Sequence, residues 1–218
     1  GGMHFSFFNQ PVAAQKNFKS FCSALKPLLS SNAQALQELE KMENNFSKVM
    51  QEKMENMWAK KLGISKFDVS LFEELINLMI ETKVDYTIFF RELSNIPNDI
   101  NQLAKSFYGN LKNEAIKTRW NNWLEIWKSL INATDKESII SLSNQMKLIN
   151  PKYTLREWHL VWAYQEAQNG NYEPVHKLQE IMTNPYDEQT KEIEKKYYIK
   201  KPSDFFGIAG ISHVSCSS

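Results

Sequence analysis

The sequence predicts an all-α fold, a multi-helix domain of about nine or ten helices followed by an irregular C-terminal tail. Three observations predict it. Apolar residues recur at spacings of three and four through most of the chain, and no stretch alternates at period two for long enough to mark a strand. Seven glycines and seven prolines in 218 residues are also few for a sheet-rich or disordered chain. Hydrophobic residues make up 42% of the sequence, enough for one large domain or two small ones.

The elements follow in order. Gly1-Gly2-Met3 reads as an expression-tag remnant, so the helical domain is drawn over residues 4–196 and the tail over 197–218. Pro11 suits a first helical turn, and Val12, Phe18, Phe21, Cys22, Leu25, Leu28 and Leu29 follow at helical spacing, with an end near Pro27 to Ser31. Asn32 can cap a long second helix whose stripe runs from Ala33 through Leu39, Met42, Phe46, Val49, Met50, Met54 and Met57 to Leu62, closed by Gly63. Asp68 and Asp85 are N-caps for a third helix and for the short run Tyr86 to Leu93. A helix over about Asp99 to Tyr108 comes next, then one marked by Trp120, Trp123, Trp127 and Leu130. Thr134 or Asp135 starts another, ending near Ile149. Pro151 forces a fresh start for the helix of Leu155, Trp158 and Trp162, which stops at Gly170; Pro174 fits a helix through Met182, and a Pro185 turn leads to a charged stretch ending at Lys196.

Charge excludes several function classes. With 26 basic and 25 acidic residues the formal charge is +1, which supplies no attraction for nucleic acid or an anionic membrane surface. Arginine occurs only at 91, 119 and 156, against the forks that phosphate-reading sites favour. Arg91 and Arg156 read as structural ion pairs. No apolar run approaches the roughly 20 residues of a membrane span, and no leader is evident, so a soluble cytoplasmic protein is expected.

Tempting constellations reduce to plain ones. Asp204-Phe205-Phe206-Gly207 misses the kinase metal-binding Asp-Phe-Gly by one residue and lacks a preceding phosphate loop, so it reads as an apolar tail segment. The Gly207 to Gly210 spacing lacks the strand and helix of a phosphate loop. His4, His159, His176 and His213 are scattered; His213 with Cys216 is half a metal site without a second half. The methionine stripe at 42, 50, 54 and 57 reads as core filler, and the tryptophans as buried against one another. Cys22, on an apolar helical face, should be buried and inert; Cys216, near the polar terminus, is the accessible thiol.

One ordered set of segments carries a resemblance. Phe5-Ser6-Phe7-Phe8-Asn9-Gln10-Pro11 is followed by Trp58, Lys61, Leu62 and Gly63, by Asp85-Tyr86-Thr87 with Phe90-Arg91-Glu92-Leu93, by Asn150-Pro151-Lys152-Tyr153-Thr154-Leu155-Arg156, by Asn184-Pro185-Tyr186-Asp187-Glu188-Gln189, and by the terminal Ser215-Cys216-Ser217-Ser218. In this order they resemble the C-terminal portion of the SelO family, kinase-fold protein adenylyltransferases. The resemblance implies a parent enzyme that transfers AMP from ATP to Ser, Thr or Tyr hydroxyls with Mg or Mn, whose nucleotide-binding and catalytic residues lie upstream of Phe5. No catalytic, cofactor-binding or metal residue is then assigned to this chain. The resemblance implies that the piece braces its upstream kinase-like half through the helices of its first part, which can belong to the kinase-like C-lobe, and that its tail carries a regulatory thiol, Cys216, as a redox gate. In bacterial members that cysteine can bridge to one in the activation segment, which here would lie before Phe5, leaving Cys216 free unless it meets Cys22 or another molecule. The alternative is a free-standing helical interaction module that uses its tryptophan or methionine stripes.

Overall fold

A computed structural model describes residues 9–207 except 110 and 112. Nine α-helices and three short 3₁₀ turns are found among the described residues, and the β-structure there is an isolated bridge between Val84 and Phe107. The expected all-α class holds. The described residues divide into two compact units, one up to Trp58 and one from Ala59 onward.

The first unit is a helical hairpin. α1 (Gln10–Leu25) carries Pro11 in its first turn and runs into a 3₁₀ turn, Lys26–Leu29. The Asn32 side chain accepts from the Ala35 amide at 3.0 Å and starts α2 (Ala33–Leu62), which belongs to the first unit through Trp58. Phe18 stacks on Phe46 with centroids 4.7 Å apart, and Lys26 pairs with Glu43 at 3.1 Å, so α1 and α2 run antiparallel. Cys22 is free and fully buried, as its place on the apolar face predicts.

Acidic, amide and hydroxyl caps set most helix starts in the second unit. Asp68 opens α3 (Val69–Thr82), Asp85 opens α4 (Tyr86–Leu93), Asn113 opens α5 (Glu114–Leu130), and Asp135 with Ser138 forms a capping box on α6 (Lys136–Ile149). Then come α7 (Glu157–Gln168), α8 (Glu173–Thr183) and α9 (Lys191–Tyr197), the last capped by Thr190. α5 packs on α3, and α7 on α8.

Two clusters fill this unit. Trp120, Trp123 and Trp127 are buried in contact along α5, Trp120 edge-on to Trp123 and Trp123 stacked on Trp127. Trp123 donates its indole N–H to Leu71 O at 2.8 Å and Trp127 to Leu62 O at 2.7 Å, which ties α5 to the start of α3 and the end of α2. The second cluster joins Ile88, Tyr153, Ala163, Leu178, Ile181, Ile193, Tyr197 and Tyr198.

Five expectations need correction. Residues 99–108 form a 3₁₀ turn, Ile100–Ser106, rather than an α-helix. Its end is drawn into pairing with the α3–α4 link, where Asp85 N donates to Ser106 O and Tyr108 N to Lys83 O, and that pulls the backbone out of α geometry. Leu155 lies before α7 and is exposed, because the stretch after Pro151 stays extended until Arg156. Tyr197 and Tyr198, placed in the tail by composition, belong to the core. Met42 is exposed, and Met50, Met54 and Met57 are half-buried, so the methionine stripe is not core filler: a two-helix unit offers it only one partner face. Trp162 too stays 36% exposed, under the Lys196 ammonium.

Gly63 ends α2 in the left-handed region at φ +66, with Ile64 N donating back to Ala59 O at 3.0 Å. A Cβ there would stand 2.6 Å from Met146 Sδ. Gly63→Ala is therefore expected to cost about 2 kcal/mol through backbone strain and crowding. Urea unfolding at an unchanged m value checks it; an unaltered midpoint would show that Met146 swings away freely and that the backbone carries no strain.

Candidate functional site

The middle segments of that ordered set, from Lys61 to Gln189, converge in the second unit. Asn150, at the C-terminus of α6, is fully buried; its Nδ2 donates to Lys61 O at 2.8 Å and Ser94 Oγ at 3.1 Å, while its Oδ1 accepts from Lys61 Nζ at 3.0 Å. Arg91, 3% exposed on the last turn of α4, sends Nη1 to the carbonyls of Lys147 and Asn150 at 3.0 and 3.1 Å and Nη2 to Glu188 Oε1 at 2.7 Å. A cation thus satisfies the carbonyls that the end of α6 leaves open.

Glu188 is the second node. Its Oε2 accepts from Lys152 Nζ at 2.6 Å, and Lys152 also pairs with Glu194 at 3.1 Å. The backbone joins in: the Lys152 and Tyr153 amides both donate to Pro185 O, and Tyr153 OH donates to Glu188 O at 2.9 Å. Asn150–Arg156 and Asn184–Gln189, with α7 and α8 between them in sequence, therefore form one interlocked pair of loops. Gln189, at φ +54, completes it by donating to Ile181 O and Asn184 O.

Asp85 makes a third node. It caps α4 through Ile88 N at 3.1 Å, accepts both Arg156 Nη atoms at 2.9 Å, and accepts from Tyr108 OH at 3.2 Å. Arg91 and Arg156 both make structural ion pairs, as the sequence suggests.

The electrostatics follow the packing. Burial would raise the Glu188 carboxyl, but hydrogen bonds from Lys152 and Arg91, with their charges, outweigh it and hold the group at about 2. Lys61 is lowered to about 8 by burial. Its ammonium lies 5.0 Å from the Phe90 ring centroid and 5.4 Å from that of Tyr86. His159 is lowered to about 4, by burial first and then by the charges of Arg156 and Lys196, so it is neutral near pH 7.

Lys61 yields a measurable pH dependence. Its folded value lies below the unfolded 10.5, so across pH 8 to 10.5 the unfolded chain holds more protons and the stability tied to this residue rises with pH. The stability difference between the unaltered chain and Lys61→Met should grow by about 3 kcal/mol over that window. A difference that stays flat in urea titrations would refute a desolvated ammonium.

Chemically, these nodes pair every carboxylate with a cation and bring no nucleophile to a base. Neither His159, buried, nor His176, exposed, meets the other. Among the described residues no group of three or more His, Cys, Asp or Glu is placed to hold a metal ion. His4, His213 and Cys216 lie outside the described residues. Glu188, Lys152 and Asn150 carried no signal in composition or periodicity; they stood out only as members of the ordered segments.

Comparison with known proteins accounts for that order. The family model described as protein adenylyltransferase SelO matches residues 2–183. A protein nucleotidyltransferase YdiU of Aromatoleum aromaticum is 30% identical over all of this chain and 42% of its own length. Those of Flavobacterium johnsoniae and Vibrio parahaemolyticus are 29% and 31% identical over 98% of this chain, each again over 42% of its own length. The chain thus spans about two fifths of the length of the curated relatives it matches. Among the described residues no helix is long and apolar enough to cross a membrane. On a family match that covers most of its length, the chain belongs to the SelO family of protein adenylyltransferases.

Proposed function

We propose that this chain is the C-terminal helical part of a cytoplasmic bacterial enzyme that transfers AMP from ATP to protein hydroxyls, and that it acts there as a brace and a redox gate. The observation that carries the reading is the family match over residues 2–183 combined with a span of only 42% of the relatives' length. ATP and its Mg or Mn ion would belong to the upstream kinase-like half in this reading, where ATP would supply the adenylyl group with pyrophosphate as the leaving group and the metal would offset the phosphate charge. The work of this chain is mechanical. The interlocked loops held by Arg91, Asn150, Lys152 and Glu188 give it a stiff second unit, and a stiff support holds a neighbouring catalytic half in register.

Cys216 is the regulatory element in this reading. Oxidation would join its Sγ to a second cysteine thiol of the parent, with two electrons and two protons passing to a peroxide-class oxidant, and a dithiol would reverse it. The test uses the parent protein, unaltered and as Cys216→Ser, with radiolabelled AMP transfer measured after peroxide and after dithiothreitol. The unaltered protein should lose activity severalfold on oxidation and recover on reduction, while the variant stays constant. Equal responses in both would overturn the gate. Absence of any transfer by the reduced parent would overturn the enzymatic reading itself.

A further inference from the structure

A cleft in the second unit takes no part in the network of Arg91, Asn150 and Glu188. Its volume is about 610 Å³, within the range that holds a ligand or a short peptide. One wall is α6 from Ser138 to Ile149, roughly 16 Å of helix, and the other is the end of α2 with the turn after it, from Lys60 to Ser65. Gly63 lets the walls approach, since a Cβ there would stand 3.1 Å from Leu142 Cδ1. Ile64 and Met146, both buried, floor the cleft with Leu142. Ser141 and Gln145 are exposed on the α6 wall, joined to each other by a hydrogen bond of 3.4 Å that leaves both with further hydrogen-bonding capacity. No Asp or Glu lines the cleft, and exposed Lys60 forms no ion pair or hydrogen bond among the described residues.

We infer that this cleft is a docking site for a short acidic and apolar peptide segment of a partner protein. The lining selects that occupant. The floor of Ile64, Leu142 and Met146 takes leucine-like side chains out of water. Ser141 and Gln145, one helical turn apart, offer donors and acceptors that a peptide backbone can use and an aliphatic chain cannot. Lys60, unpaired in a cleft that holds no carboxylate, complements an acidic side chain and repels a basic one. Length agrees: an extended chain advances roughly 3.3 Å per residue, so the α6 wall matches about five residues. For an enzyme that modifies protein hydroxyls, such a segment would recruit the substrate. That use rests on the proposal above, whereas the identity of the ligand does not.

An array of hexapeptides that combines leucine, aspartate, lysine and serine in every order, probed with the parent protein, tests this. The unaltered parent should enrich peptides that carry leucine and at least one aspartate. Ser141→Trp, which fills the cleft from an exposed helix position, should bind the same peptides about tenfold more weakly. Lys60→Glu should turn the preference from aspartate to lysine, by about threefold for each, the size of an exposed ion pair. Both variants change exposed side chains and should melt as the unaltered protein does. No enrichment, or enrichment that Ser141→Trp leaves intact, would overturn the inference. So would a preference for aspartate that survives Lys60→Glu. Peptides that bind the 218-residue chain and not the parent would show that the upstream half covers the cleft, and reject the assignment. AMP transfer measured on the same parent keeps the two readings apart. Docking by a parent that transfers no AMP sinks the enzymatic proposal alone, and transfer without docking sinks the cleft alone.

Discussion

Arg91→Leu should lower the unfolding free energy by about 3–5 kcal/mol, the largest loss expected from a single substitution in this chain. The guanidinium is 3% exposed and is the donor to two carbonyls at the end of α6, those of Lys147 and Asn150, as well as to Glu188. Leucine fills part of the space but leaves both carbonyls without this donor, and each unsatisfied buried group costs about 1–3 kcal/mol. Glu188 retains Lys152 and solvent, so the carbonyls carry most of the effect. Arg91→Lys should recover little, because a single ammonium on a flexible stem cannot fork to three acceptors held on two loops. Urea unfolding measures both variants. A loss below about 1 kcal/mol for the leucine variant would mean that the loops are held by their apolar contacts and that the network is incidental.

Asp85→Ala ranks second, at about 3–4 kcal/mol. The carboxylate caps α4 and pairs with both ends of the Arg156 fork. Removing it costs the cap, about 1 kcal/mol, and strands a guanidinium whose side chain is 16% exposed. The melting temperature should fall by about 10 °C. Asp85→Asn keeps an acceptor for the cap and gives up the charge, so it should fall between the two. An asparagine variant as stable as the unaltered chain would show that the pair adds nothing beyond the cap.

The two nodes were visible to different degrees before the structure. Asp85 was legible as a cap because capping is local: an acidic residue before an apolar helical run satisfies amides a few positions away. The same locality made Asn32, Asp68 and Asp135 readable, and Gly63 and Gly170 fall where positive φ is needed. The pairing of Asp85 with Arg156 spans 71 positions and that of Arg91 with Glu188 spans 97. Nothing periodic marks such partners. Scarcity of arginine flagged one end of each pair, and only the packing of α4 against the loops supplied the other.

Errors in the sequence reading have the same origin. Periodicity placed a helix over 99–108, but the pairing of Ser106 and Phe107 with the α3–α4 link converts it to a 3₁₀ turn. Composition ended the packed region at Lys196, but Tyr198 OH donates to Glu92 at 2.8 Å and anchors the next residues in the core. The methionine stripe was correctly placed on one face of α2 and wrongly assigned to the interior, since a stripe records which face is apolar and not whether anything lies against it.

By itself the sequence determined the all-α class, the position of nearly every helix start, the burial of the α5 tryptophans and membership of a family, because these depend on local propensity, spacing and the linear order of segments. The tertiary structure alone decided that two distant loops lock through Asn150, Lys152 and Glu188, that Lys61 loses its solvent, and that Phe21, Met42 and Val49 stay exposed. Those outcomes depend on which surfaces meet across many residues, where burial and pairing, not propensity, set the free energy.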